Sequence, residues 1–82
     1  MPVVSAVLHA IPGKMDTLRT TLAQDPRITL GEPQDDRLPV VAVTSNRIDD
    51  KQLWRDLEFN DNIRFFELAF ADFSDIHPEG GQ

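Results

Sequence analysis

The sequence predicts a single small α+β domain, on three observations. The chain has 82 residues, which is the length of one domain. Short Val-rich runs alternate with stretches in which apolar residues recur every three or four positions, so strands and helices are interleaved. Segments containing Pro, Gly or Asp separate these stretches and supply turns.

The first half of the chain is predicted to form a strand, a helix and a short strand. Residues 3–10 are Val-rich and read as a strand. A helix follows, with Pro12 in its first turn and its end before Pro26. Its apolar stripe consists of Met15, Leu18 and Leu22. Residues 28–30 begin the second strand.

The second half is predicted to contain two longer strands on either side of a helix. Residues 38–45 form the third strand, and the second helix is capped by Asp49 or Asp50 and ends near Phe59. The last strand spans residues 63–73. Strict alternation of its side chains assigns them to two faces. Phe66, Leu68 and Phe70 are expected under the helices, and Phe65, Glu67, Ala69 and Ala71 on the other face, with Phe73.

This order, βαββαβ, is that of the ferredoxin-like fold, in which two helices cover one face of a four-stranded antiparallel sheet. We expect the domain to span residues 1–74 and residues 75–82 to form a flexible tail. On the first strand, Ser5, Val7 and His9 then lie on the face without helices. That face is predicted to be a binding surface.

Composition excludes several classes of function. The chain has no cysteine, so disulfides and thiolate chemistry are impossible, and its net charge of −6 disfavours nucleic acid. Ser5 and His9 are four residues apart on one strand, about 13 Å, which is too far for a nucleophile and its base. A His9–Glu67 contact is expected as an ordinary surface pair. We therefore predict no enzyme activity, no metal site and no cofactor.

The chain begins without a basic, apolar leader and has no stretch long enough to span a membrane, so we expect a cytoplasmic protein. Most of its acidic excess lies in residues 42–82, which have nine acids and four bases. This is compatible with a basic partner, although an acidic surface also simply favours solubility.

Residues 5–26, SAVLHAIPGKMDTLRTTLAQDP, resemble the start of the NapD family, the assembly chaperones of the periplasmic nitrate reductase. The resemblance rests on Ser5, on His9 followed by Ala10, and on the closing helix that leads to Pro26. Residues 40–43 and 68–71 resemble later strands of the family. The last strand departs from the family, because it reads Leu-Ala-Phe-Ala where the family usually has Leu-Val-Tyr-His.

The resemblance implies a chaperone that binds the twin-arginine signal peptide of a nitrate reductase catalytic subunit and delays its export until the cofactor is loaded. The protein would be a monomer or a weak dimer. An apolar helical face of the peptide would lie on the uncovered sheet, while its arginines meet carboxylates. The expected peptide-binding residues are Ser5, Val7, His9, Phe65, Glu67, Ala69, Ala71 and Asp72.

Two alternatives remain. One is an ACT-like module that senses a small molecule, usually as a dimer, with the ligand near residues 11–13. The other is a plain interaction domain of a larger complex, with no chaperone role. A sheet-to-sheet homodimer would hide the same apolar residues as a bound peptide.

Overall fold

The computed structural model describes residues 1–72, which form four strands and two helices. In chain order these are β1 (Val3–Ala10), α1 (Met15–Leu22), β2 (Ile28–Leu30), β3 (Arg37–Val43), α2 (Arg47–Glu58) and β4 (Ile63–Asp72). The bounds of β1 and β2 and the end of α2 are those predicted. Phe73 and the predicted tail at 75–82 lie outside the described residues. Neither helix in residues 1–72 is long and apolar enough to cross a bilayer.

The four strands form one antiparallel sheet in the order β2-β3-β1-β4. Every second side chain of β1 and β3 is buried, because only one face of the sheet is covered. Leucines of both helices pack with those side chains in a single core, so both helices lie on that face. The ferredoxin-like prediction is confirmed. The core consists of Ala6, Leu8, Ala10, Leu18, Leu22, Ile28, Leu38, Val40, Ala42, Leu53, Leu57 and Ile63.

Both helices begin at residues other than those predicted. Pro12 is not in the first turn of α1, because Gly13 follows it with φ of 82°, a left-handed conformation that ends any helical path. Asp49 and Asp50 do not cap α2. The cap is Asn46, whose side-chain oxygen accepts a hydrogen bond from the backbone N–H of Asp49 at 2.8 Å.

A polar network fastens β2 to the start of α2. The guanidinium of Arg27 donates to both carboxylate oxygens of Asp25, at 3.0 and 2.7 Å, and to Asp49 at 2.7 Å. The second oxygen of Asp49 accepts from the backbone N–H of Ser45 at 3.0 Å. The hydrogen bonds from the Arg27 side chain hold the pKa of the Asp25 carboxyl below its ordinary value, and they raise the pKa of the guanidinium. We call this region the β2 flank.

Two irregularities in the pairing of β1 with β4 decide which side chains of β4 face the helices. The register shifts between His9 and Ala10 and again between Ser5 and Ala6. The second shift inserts Ala69 as an additional residue, a β-bulge. Strict alternation of β4 is therefore interrupted at Ala69, and the next two side chains, Phe70 and Ala71, lie on faces opposite to those predicted.

Candidate functional site

The face of the sheet opposite the helices, which we call the open face, carries a continuous set of apolar side chains. On β1 and β3 these residues are directly paired, with Val3 opposite Val43 and Val7 opposite Pro39. Val41 and Val43 are 38% and 37% exposed, which is high for valines in the middle of a sheet. The apolar strip consists of Val3, Val7, Pro39, Val41, Val43, Ala69 and Phe70.

A shallow depression lies in the middle of this strip. Its volume is about 230 Å³, and almost all of the accessible surface that lines it is apolar. Ser5 and Thr29 are the hydroxyl-bearing residues in its lining. The remaining residues of the open face that line it are Val7, Pro39, Val41 and Ala69. A depression of this kind suits an apolar side chain from a partner more than a charged ligand.

The open face has a polar end, centred on His9. Its Nε2 lies 2.7 Å from Oε1 of Glu67, so the expected pair is present. The imidazole also stacks on the ring of Phe65, with centroids 4.1 Å apart and planes 14° apart. The guanidinium of Arg64 lies 5.6 Å from the centre of the same ring. The side chain of Glu67 is 66% exposed, so its carboxylate stays accessible while it contacts His9.

The predicted site residues on β1 lie together on the open face, as expected from alternation. Ser5 is opposite Val41 on one side and Phe70 on the other. Val7 is opposite Glu67, and His9 is opposite Phe65. Ser5 accordingly lies among apolar residues, and His9 contacts Glu67 and the ring of Phe65.

On β4 the predictions hold up to the bulge, and one of the two predicted residues beyond it lies on the other face. Phe65, Glu67 and Ala69 belong to the open face as predicted. Ala71 is a correction, because it is opposite Val4, whose side chain is buried on the helix side. It therefore does not belong to the open face.

The bulge places two further side chains of β4 on the open face. Asp72, one of the predicted site residues, is opposite Val3, at the far end of the apolar strip from Glu67. Phe70, predicted to lie in the core under the helices, is instead opposite Ser5 and is 57% exposed. Phe70 is the main residue of this face that sequence reasoning missed, and strict alternation could not have revealed it.

The open face offers two kinds of contact for binding. An apolar segment can be buried on the strip, and the carboxylate of Glu67 can accept hydrogen bonds from a cation. Within residues 1–72, no group of three His, Cys, Asp or Glu side chains is placed to hold a metal ion. Ser5 and His9 are separated by four positions of β1, as predicted, and their side chains have different neighbours.

Comparison with known proteins yields no relative: no family model, no curated protein and no solved structure matches the chain. The resemblance of residues 5–26 to the NapD family therefore stays a prediction.

Proposed function

We propose that this protein is a chaperone that binds the twin-arginine signal peptide of an exported reductase on the open face of its sheet. The observation that carries the proposal is the apolar strip, which the chain's own helices leave uncovered. Such a strip is larger than the scattered apolar residues of an ordinary surface and has the composition of a recognition surface. In this proposal the nitrate reductase catalytic subunit is the precursor, and the complex forms in the cytoplasm.

The dimensions of the strip suit a short helical guest. Val3 and Val7 are four positions apart on β1, so the strip is about 13 Å long between them. At about 1.5 Å per residue, a helix of roughly nine residues would cover that length. The apolar stretch that follows the arginines of such a leader is long enough to supply these residues. Most of the affinity would come from apolar burial, at about 25 cal/mol per Å².

Carboxylates lie at both ends of the strip. Glu67 is opposite Val7, and Asp72 is opposite Val3. A helix bound along the strip would bring its basic end close to one of them, and a bidentate guanidinium–carboxylate contact would fix its direction. Arg37 is opposite His9 and thus lies near the Glu67 end, so this end contains cations as well as a carboxylate. Such charges set orientation and association rate more than affinity.

The test is a titration of the full chain with a synthetic leader peptide that contains two adjacent arginines and an apolar stretch, followed by amide NMR. We expect shifts at Ser5, Val7 and Ala69. Val41→Asp would place a carboxylate in the strip and weaken binding by about ten-fold or more. The matched control is Ile48→Asp, which adds the same charge to an exposed apolar residue of α2 and should leave affinity unchanged.

Absence of binding by the leader would overturn the proposed function. Shifts confined to the helices would retain binding but overturn the assignment to the open face. Glu67→Gln and Asp72→Asn test the two carboxylates separately. The variant that removes the contact with arginine should lower the affinity for the leader by a few-fold. The same variant should leave the affinity for an arginine-free version of the peptide unchanged.

A further inference from the structure

The outer edge of β4 exposes backbone groups that no strand of residues 1–72 pairs with. Ala10 donates its N–H at 2.7 Å to a carbonyl of the segment that leads into β3. Antiparallel pairing alternates between the two neighbours of a strand, so the preceding residue, His9, is bonded to β4. His9 is opposite Phe65. The N–H and C=O of Phe66 therefore point to the free edge, as do those of Leu68.

This edge has few of the features by which proteins block edge strands. It belongs to a strand of ten residues, whereas β2 at the other edge has three. Short length, proline, inward-pointing charge and β-bulges are the usual protections. β4 contains no proline, and its two register shifts lie on either side of residues 65–68, which pair regularly with β1. The regular edge between the two shifts is a template on which an extended peptide can add as a further strand.

A groove runs beside this edge, between β4 and α2. Its volume is about 450 Å³, and it is lined by Arg47, Ile48, Asp50, Lys51, Trp54, Phe66 and Leu68. Two of its apolar side chains are unusually exposed, Ile48 at 76% and Leu68 at 61%. Side chains of a strand added to β4 would alternate between the open face and this groove.

The aromatic floor of the groove is held in place before any ligand binds. The indole N–H of Trp54 donates to the carboxylate of Asp50 at 2.9 Å. The rings of Trp54 and Phe66 pack against each other, with centroids 5.2 Å apart. Because these side chains are already ordered, they lose little conformational entropy when a peptide binds.

The charges around the groove favour an acidic ligand, although the protein as a whole is acidic. Arg47 and Lys51 are one turn apart on α2 and lie on the same side of the helix. The acid in the groove, Asp50, is only 8% exposed and already accepts from Trp54. Lys51, which is exposed, thus supplies an accessible cation along the groove.

We propose that the edge of β4 and the groove beside α2, together called the β4 flank, bind an extended peptide as a fifth strand. The peptide carries apolar and acidic side chains on the side that faces α2. Apolar residues contact Ile48 and Leu68, and an acidic residue pairs with Lys51. This site is separate from the open face and does not depend on the proposed function.

The test uses the full chain and a seven-residue peptide with blocked ends. Threonine occupies every second position, and valine, glutamate and leucine alternate with it. We expect amide shifts at Phe66 and Leu68, a shift of the Trp54 indole N–H, and none at Val7. In an added strand, alternate peptide N–H groups point towards β4. N-methylation of one alternate set should therefore abolish binding, and methylation of the other set should preserve it.

Surface variants test the groove without disturbing the core. Lys51→Glu should lower the affinity for the peptide by about five-fold, because an attractive ion pair is replaced by repulsion between two carboxylates. Lys14→Glu makes the same change of charge on the α1 side of the molecule and should alter affinity by under about two-fold. Ile48→Asp should lower the affinity for this peptide and Val41→Asp should not. The reverse is expected for the leader peptide.

Three results would overturn the proposal. The first is equal binding by the two N-methylated peptides, because backbone pairing would then play no part. The second is failure of the unmethylated peptide to shift Phe66 and Leu68 at millimolar concentration. The third is a stable dimer in sedimentation that Leu68→Asp dissociates, since the edge would then belong to a second copy of the chain.

Discussion

The two edges of the sheet differ in how their polar and apolar groups are satisfied. At the β2 flank, a three-residue strand begins directly after a network in which Arg27 binds Asp25 and Asp49. At the β4 flank, a ten-residue strand leaves Leu68 and Phe70 more than half exposed. One edge is joined to a helix by charged hydrogen bonds, and the other leaves apolar surface and backbone groups open.

This difference separates the residues that stabilise the fold from those to which the two proposals assign recognition. Buried leucines and the Arg27 network hold the helices on the sheet, and neither requires the exposed residues of β4. Exposed apolar groups contribute little to folding, since they gain little burial. The exposed residues of the β4 flank and of the open face can therefore be changed with small effects on stability, which is the property required of a binding surface.

The largest effect on stability is expected when a core leucine is replaced by alanine. The same replacement on the exposed part of β4 is the comparison. Leu38 is fully buried in the core, and Leu68 is 61% exposed on β4. Leu38→Ala should lower the free energy of unfolding by about 3 kcal/mol, because it removes buried methyl groups and leaves a cavity. Leu68→Ala should lower it by under about 0.5 kcal/mol. Urea denaturation measures both, and equal losses would contradict the division.

A smaller effect is expected from the polar network. Arg27→Gln removes three charge-assisted hydrogen bonds, but the Arg27 side chain is 32% exposed and therefore partly solvated. We expect a loss of about 1.5 kcal/mol in urea denaturation. Arg27→Lys keeps the charge without the planar fork and should recover less than half of this loss. The matched control is Arg55→Gln on the exposed side of α2, for which no measurable change is expected.

The smallest effect is the pH dependence that the same network confers. The pKa of Asp25 is lowered in the folded protein from its ordinary value of 3.8, mainly by hydrogen bonds from Arg27. The ionised carboxylate therefore stabilises the fold above that value, and this stabilisation is lost as pH falls through the lower folded pKa. Asp25→Asn should thus be destabilising near about pH 6 and progressively less so below about pH 4.

The measurement is urea denaturation of the wild-type protein and of the Asp25→Asn variant across this pH range. In the Arg27→Gln background the substitution of Asp25 should have a much weaker pH dependence, because the main cause of the lowered pKa is gone. An undiminished pH dependence in that background would show that Arg27 is not the cause.

The regular parts of the fold could be predicted from sequence because each has a periodic pattern. Val4, Ala6 and Leu8 alternate with Ser5 and Val7, and burial follows that alternation along all of β1. The apolar spacing of the helices likewise identifies Leu18, Leu22, Leu53 and Leu57 as core residues. Two helices on one side then follow from the order of the elements.

The helix starts could not be predicted with the same accuracy, since several residues compete for each cap. Asn46, Asp49 and Asp50 are all good N-caps by type, and only the backbone shows that Asn46 has the extended conformation a cap requires. Asp49 instead accepts from Ser45 and Arg27, a partner 22 residues away in sequence.

The candidate site was predicted correctly where alternation is unbroken, whereas beyond the bulge Asp72 lies on the open face as expected and Ala71 does not. Ser5, Val7, His9, Phe65 and Glu67 lie on the open face as expected. A bulge has no reliable sequence signature, so the exchange of Phe70 and Ala71 between the two faces could not be predicted from the sequence. The groove beside α2 was missed for a different reason, because it depends on how two distant elements pack.

The additional residue at Ala69 also makes the end of β4 adjustable by register. The side chains that anchor β4 to the core, Ile63 and Phe66, both precede it. If Ala69 were paired opposite Ser5 as a regular residue of the ladder, each later residue would move by one position along β1, turning Phe70 away from the open face and Ala71 towards it, while this anchor stays in place. A one-residue shift of register at this point thus offers evolution a way to exchange the residues presented to a ligand without rebuilding the interior.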